Sequence, residues 1–174
     1  MIDVREYEAC ETLKDGRSVI VRAIRADDKE TVLQSLSLFS NDSMYKRFHG
    51  AKNSLTDQEL TFYTEIDYVH HVALLAVLKN NDQAIGGGRF IALDKALPPR
   101  SAELSFVVAD EFQGLGVATI ILKHLVHIAR ETGIKIFEAD VLGENTAMIR
   151  VFEKSGLPVT KTYEGRNVHV TMSL

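Results

Sequence analysis

The sequence predicts an α+β domain, and three observations carry that reading. Strand-length apolar segments recur along the chain. A long segment late in the chain repeats its apolar residues at helical spacing, and glycines mark the point where one pattern gives way to the other. The clearest instance runs from Glu103 to Thr132. Leu104, Phe106 and Val108 share one face of a strand, with Glu103, Ser105 and Val107 on the other. Past Gly116, Val117, Ile121 and Leu125 lie one turn apart, as do Ala118, Leu122, Val126 and Ala129. Thr119, Lys123, His127 and Arg130 form the wet face.

The other elements follow in chain order. Residues 1–16 read as an N-terminal extension closed by a turn at Asp15-Gly16, and 17–174 as a single domain. Arg17 to Arg25 is the first expected strand. Asp27 and Glu30 have capping-box spacing before a helix carrying Val32, Leu33, Leu36 and Phe39. Ser40 to Asn53 is polar and mixed. Thr56 and Glu59 repeat the capping box, with Leu55 and Leu60 placed as a staple. Val69 to Lys79 is apolar enough for a strand buried on both faces, and Asn80-Asn81-Asp82 turns the chain into a returning strand, Gln83 to Asp94. Within it, Gly86-Gly87-Gly88 allows a bulge, close backbone packing or clearance for a substrate. Pro98-Pro99 breaks the chain before the central strand. Ile136 to Leu142 is a further strand, Glu144-Asn145 opens a helix ending at Lys154, and Val159 to Tyr163 and Asn167 to Ser173 pair around Glu164-Gly165.

Composition bounds the function. With 174 residues, 45% of them hydrophobic, the chain can bury one core. A net charge of -4 without a Lys/Arg cluster gives no basis for nucleic-acid binding. Met1 to Leu13 is charged throughout, unlike a secretory leader, and no apolar run spans a membrane. The single cysteine, Cys10, excludes an internal disulfide and suits the cytoplasm; it has no histidine nearby in sequence to activate it. His124 and His127 have metal-compatible spacing, but no acidic or cysteine ligand accompanies them, so no metal is expected. His70-His71 precedes a strand, where it could sense pH or touch a substrate.

A strand that passes through glycines into a helix start is a device for holding phosphate. First-turn N–H groups lack intrahelical acceptors, and the positive end of the helix dipole lies there. No Lys-Ser or Lys-Thr follows the glycines, so this is not a P-loop, and Thr119 breaks the dinucleotide fingerprint. A tight turn alone would also use Gly-x-Gly. The full string Gln113-Gly114-Leu115-Gly116-Val117-Ala118, after an apolar strand, resembles the pyrophosphate loop of the GCN5-related N-acetyltransferase (GNAT) family, Arg/Gln-x-x-Gly-x-Gly/Ala. The resemblance continues through Ile136 to Leu142 and the helix that ends at Lys154-Ser155-Gly156-Leu157. It implies the GNAT fold: a mixed central sheet of about six to seven strands with helices on both faces.

The resemblance also implies a site. Acetyl-CoA would enter as cosubstrate, its pantetheine arm pairing with the backbone of Phe106, Val107 and Val108, where an N–H also meets the developing oxyanion. Its pyrophosphate would lie on Gln113, Gly114, Leu115, Gly116, Val117, Ala118 and Thr119. Asn145 commonly contacts the cofactor in relatives, although asparagine is equally an N-cap residue. Glu103 begins the strand before the loop, where relatives commonly carry the general base. Glu138, Asp140 and Asp67 stand in reserve. Many relatives carry a tyrosine acid in the last helix; the matching position here is Phe152.

Leu13-Lys14-Asp15-Gly16, the run Val21 to Asp28, the run Ser43 to Phe48, Glu65-Ile66-Asp67-Tyr68 and Ala102 to Val108 look like the bacterial protein-lysine acetyltransferase branch. In that branch the usual target is a lysine of an acyl-CoA synthetase, and many members carry a fused sensing domain, for which this chain has no room. The expected function is therefore acetyl transfer from acetyl-CoA to a primary amine, most readily a protein lysine. A small-molecule amine as acceptor, or a non-catalytic acetyl-CoA sensor, would use the same cofactor site.

Overall fold

Eight strands form one twisted sheet in the computed structural model, which describes residues 2–94 and 100–174. Pro98-Pro99, expected as a break, lies outside the described residues. The strands are β1 (Glu8–Thr12), β2 (Ser18–Ala23), β3 (His71–Leu78), β4 (Ala84–Ala92), β5 (Ser101–Val108), β6 (Ile136–Leu142), β7 (Val159–Glu164) and β8 (Asn167–Ser173). Their spatial order is β1-β2-β3-β4-β5-β6-β8-β7. Every neighbouring pair is antiparallel except β5–β6, which is parallel.

The sheet exceeds the expected six to seven strands by β1. That strand lies inside the stretch expected as an extension, and it pairs with β2 from Glu8↔Arg22 to Thr12↔Ser18. Its five residues alternate between exposed and half-buried and carry no apolar stripe, so its stability comes mainly from the ladder. Arg22 leans across to a bidentate pair with Asp28, at 2.8 and 2.7 Å.

Helices α1 (Lys29–Ser35), α2 (Asn41–Phe48) and α3 (Asp57–Thr64) belong to one face, and α4 (Val117–Thr132) and α5 (Thr146–Glu153) to the other. The larger core lies on the α4 side. Ile121, Leu125 and Ile128 bury fully against Phe90, Phe137 and Val170. At about 1.5–3 kcal/mol per buried side chain, this layer anchors the fold. All eight residues of β3 are buried, as expected for a strand covered on both faces.

Two of the three consecutive glycines serve close packing. A Cβ on Gly88 would lie 2.6 Å from Ile121 Cγ2 and 2.7 Å from the Phe106 ring, and one on Gly86 would lie 3.0 Å from Val117 Cγ1. A bulge accompanies them, because the β3–β4 register jumps from Ala76↔Gly86 to Val77↔Ala84 and leaves Ile85 extra. Gly87 faces the other side.

Three helices, rather than the expected two, lie between β2 and β3. The unexpected one, α2, starts where the Ser40 hydroxyl accepts the Ser43 N–H at 3.1 Å. The Thr56–Glu59 box forms as expected. The Asp27–Glu30 box does not, since Asp28 instead accepts the Arg25 N–H at 2.7 Å. Among the described residues, no helix is long and apolar enough to cross a membrane.

Candidate active site

The site begins where two strands part. β5 and β6 pair only through Ser101↔Ile136, Ala102↔Phe137 and Glu103↔Glu138. Beyond that point β6 stays paired with β8 as far as Leu142, while Leu104 to Val108 have β4 as their one strand partner. The peptide groups of β5 that face β6 therefore lose their ladder for five residues. An extended ligand with its own amides could fill that edge as an added strand.

The opening is a cleft of about 280 Å³. Leu104 to Val108 form one wall and Ala139 to Val141 the other, with Met148, Val151 and Phe152 of α5 closing it. The start of α4 lies at its end. Gly116 is the N-cap, with φ at +93°, and no side chain caps the helix. Gly114 is also left-handed, at +77°. Both positions suit glycine, and the first-turn N–H groups are left open to an anion.

The loop residues proposed from sequence come together here. Gln113, Gly114, Gly116, Val117, Ala118 and Thr119 line the cleft, as do Phe106, Val107, Val108 and Asn145. Leu115 does not line it and instead packs against the core. Gln113 turns inward, its amide donating to the Val108 carbonyl at 3.2 Å and to the Ser43 hydroxyl at 3.0 Å. Ser43 in turn donates to Asp110 at 2.9 Å, so α2 is stitched to the loop. Asn145 accepts the Met148 N–H at 3.3 Å and so caps α5 as well as lining the cleft. Phe152 is fully buried with its ring 6.0 Å from that of Phe106.

Lys14 is a residue whose role the sequence reading missed. Its N–H donates to the Leu115 carbonyl at 3.1 Å, and its side chain passes 3.7 Å from where a Gly116 Cβ would lie. Lys14, Lys46 and His49 give the cleft basic residues suited to phosphates. The string Leu13-Lys14-Asp15-Gly16 was visible in the sequence, but the long-range contact that brings it to the loop was not.

Glu103 sits at the vertex of the V formed where β5 and β6 part, on the face opposite Leu104 and Phe106. It is exposed, lies beside Glu138 in the register and interacts electrostatically with Arg47. Two of the reserve carboxylates hold His169 between them: Glu138 Oε2 lies 3.1 Å from Nε2 and Asp140 Oδ1 lies 2.7 Å from Nδ1. The Asp140 hydrogen bond raises the His169 pKa. Asp67 is committed to a turn, accepting the N–H groups of Val69, His70 and His71 at 2.8–2.9 Å. Burial pushes its carboxyl up, but those donors hold it below the usual range.

The histidines on α4 divide. His124 is buried, with Nδ1 2.6 Å from the Tyr7 hydroxyl and Nε2 2.8 Å from Glu11. His127 only approaches the Tyr7 ring. His71 is buried against Arg89, which donates to its Nε2 at 2.9 Å.

Known proteins share this fold and sequence pattern. The model of the acetyltransferase (GNAT) family matches residues 40–157. The structure of the GNAT domain of PAT from S. lividans superposes with a TM-score of 0.89 and 32% identity, over 96% of this chain and 97% of that one. An acetyltransferase of Pseudomonas aeruginosa is 28% identical over 79% of this chain and 74% of its own. Acetyltransferase Pat of Mycolicibacterium smegmatis is 26% identical over 83% of this chain, which spans 42% of that protein's length. A Salmonella typhimurium structure, yncA, described with acetyl-CoA as its cofactor, shares the fold at a TM-score of 0.66 and 20% identity, over 90% of this chain and 92% of that one. On the family match and the S. lividans likeness together, this chain belongs to the GNAT family of acetyltransferases.

Proposed function

We propose that this acetyltransferase moves an acetyl group from acetyl-CoA to a primary amine, most readily a lysine side chain of a protein such as an acyl-CoA synthetase, with Glu103 as general base. The observation that carries the reading is the vertex of the V. An open strand edge leads to an uncapped glycine helix start on one side, and a carboxylate faces the other. The likeness to the S. lividans PAT domain and to acetyltransferase Pat of M. smegmatis supports acetyl transfer, and the yncA cofactor supports acetyl-CoA.

Acetyl-CoA supplies an activated acyl carbon as a thioester. The protein's own contributions are few. Gly114 to Thr119 would hold the pyrophosphate with Lys14 beside it, and the open edge at Phe106 to Val108 would align the arm. An N–H of that edge would take the charge that develops on the carbonyl oxygen. Stripping the proton from a lysine-like amine at pH 7 costs about 4.6 kcal/mol, and this is the step assigned to Glu103.

Glu103→Gln tests the assignment. Turnover should fall by about 10²–10⁴ at neutral pH with acetyl-CoA affinity little changed, and the deficit should narrow at high pH where the free amine is abundant. A variant that kept most of its activity at pH 7 would remove Glu103 as the base and turn attention to the Glu138–His169–Asp140 group.

A further inference from the structure

A second hollow, of about 90 Å³, lies across the sheet from α4, on the same face as Glu103. Gly87 floors it, and Val32, Leu36, Met44 and Leu75 give it an apolar lining. Two guanidiniums, from Arg47 of α2 and Arg89 of β4, also line it. Among the described residues, neither makes a salt bridge within 4 Å to any carboxylate. They lean on aromatic faces instead. Arg89 lies 4.4 Å over the Tyr63 ring, and Arg47 lies 4.8 Å over Phe48 and 6.0 Å from Tyr63.

Two guanidiniums held this close together are costly. Burial and then the neighbouring Arg47 lower the Arg89 pKa to about 9, and burial lowers that of Arg47. Two half-buried cations without a contacting counter-charge repel each other and lose hydration. Arg89 has a five-donor fork, yet its recorded bonds to the Tyr63 carbonyl and His71 Nε2 use Nη1 alone. No fully enclosed side-chain nitrogen or oxygen among the described residues lacks a partner, so the remaining guanidinium nitrogens are not sealed off.

We propose that Arg47 and Arg89 form a carboxylate-binding subsite for the acceptor: the molecule whose amine reaches Glu103 carries a carboxylate that the two guanidiniums receive. The subsite rests on the acyl-transfer reading above. Register gives it scale. Arg89 stands opposite Ser105, and Ser105 is two residues from Glu103 on the same face, about 7 Å along the strand. An aliphatic tether between amine and carboxylate fits the apolar lining, and a bidentate fork matches a carboxylate better than any other side chain does. The carboxylate comes either from a free amino acid or from an acidic residue beside the target lysine in a polypeptide.

Two matched acceptor pairs separate those sources. The first is Nα-acetyl-lysine and its carboxamide. The second is an end-blocked lysine peptide with glutamate, or glutamine, next to the lysine. Binding by ligand-observed NMR and kcat/KM with acetyl-CoA are measured for all four. The carboxylate member of one pair should be favoured at least about tenfold, and the pair that shows the preference identifies the source. Arg89→Lys and Arg47→Gln should each erase most of it through KM, and Arg89→Lys should leave the neutral member within about threefold; two variants guard against one that fails to fold. Equal binding and kcat/KM within both wild-type pairs overturns the proposal, as does a preference that survives both substitutions. Calorimetry with acetyl-CoA keeps the two readings apart. Lost acetyl-CoA binding refutes the acyl-transfer reading, whereas the NMR comparison decides the subsite even if no amine is turned over.

Discussion

Acidification should destabilise this fold, and His71 should carry a separable part of the loss. The imidazole is buried and accepts from Arg89, and desolvation followed by the Arg89 charge lowers its pKa from 6.5 to about 4. In the unfolded chain it titrates near 6.5, so between those values the unfolded state binds more protons. The sign follows: the stabilisation is fully present above pH 6.5, is lost as pH falls, and is gone below about 4. At 1.36 kcal/mol per pH unit the whole window is worth about 3 kcal/mol, and about 2 kcal/mol is lost by pH 5. His124, lowered by burial, has the same sign. His169, raised by Asp140, has the opposite sign, its contribution present below 6.5 and lost as pH rises through its folded value. A matched variant isolates the His71 part. His71→Gln keeps an acceptor for Arg89 and does not titrate. Urea unfolding followed by circular dichroism at pH 7, 5.5 and 4.5 should show the wild type losing about 2–3 kcal/mol more than His71→Gln over that range. Parallel declines, or a His71 ring proton titrating near 6.5 in the folded protein, would refute the reasoning.

Two further substitutions probe the cleft. Gly116→Val should weaken acetyl-CoA binding by about 100-fold or more in calorimetry, because its branches would stand over the open helix start; holding a β-branched residue at φ +93° should also cost about 1–3 kcal/mol of stability, and unchanged affinity would remove the loop from the cofactor site. Phe152→Tyr should change turnover by less than about tenfold, one 1.36 kcal/mol step in barrier. Expelling a thiol with a pKa near 8.5 unprotonated at pH 7 costs only about 2 kcal/mol, less than half the cost of deprotonating the amine, so a dedicated acid is dispensable. A hundredfold gain would show that the wild type lacks its acid, and lost acetyl-CoA binding would assign Phe152 a packing role that excludes a hydroxyl.

The parts of this protein legible in its sequence are those whose information is local. The spacing of Val117, Ile121 and Leu125 specifies α4, the unbroken apolar run specifies β3, and Gly114 and Gly116 mark the loop, because each pattern is complete within a few residues. The missed parts depend on distant partners. α2 is fastened to Asp110 through Ser40 and Ser43, across about 70 positions, and carries little apolar patterning of its own. β1 exists because β2 offers it a ladder. Gln113 lines the cleft, but the engagement of its amide with Val108 and Ser43 is not written in its motif. The convergence of Arg47, Tyr63, His71 and Arg89 joins two helices and two strands, and His169 meets Glu138 and Asp140 from a strand 29 positions away from Asp140. No periodicity records such meetings.

The first hairpin has a practical consequence. Residues before 17 invite trimming, as segments outside a family match often do. Here the Lys14 amide holds the Leu115 carbonyl, while Tyr7 and Glu11 grip His124 midway along α4. The long helix is thus tethered at its mouth and at its middle by the same short segment. Removing that segment would leave the sheet with a new raw edge at β2 and the glycine turn without its outer wall. A truncated protein could then fold yet fail to retain acetyl-CoA, and would be misread as inactive for want of the right acceptor. The same tether makes the hairpin a handle: a fluorophore on the exposed Cys10 would sit on the strand that carries it, far in sequence from the loop whose movements it would report.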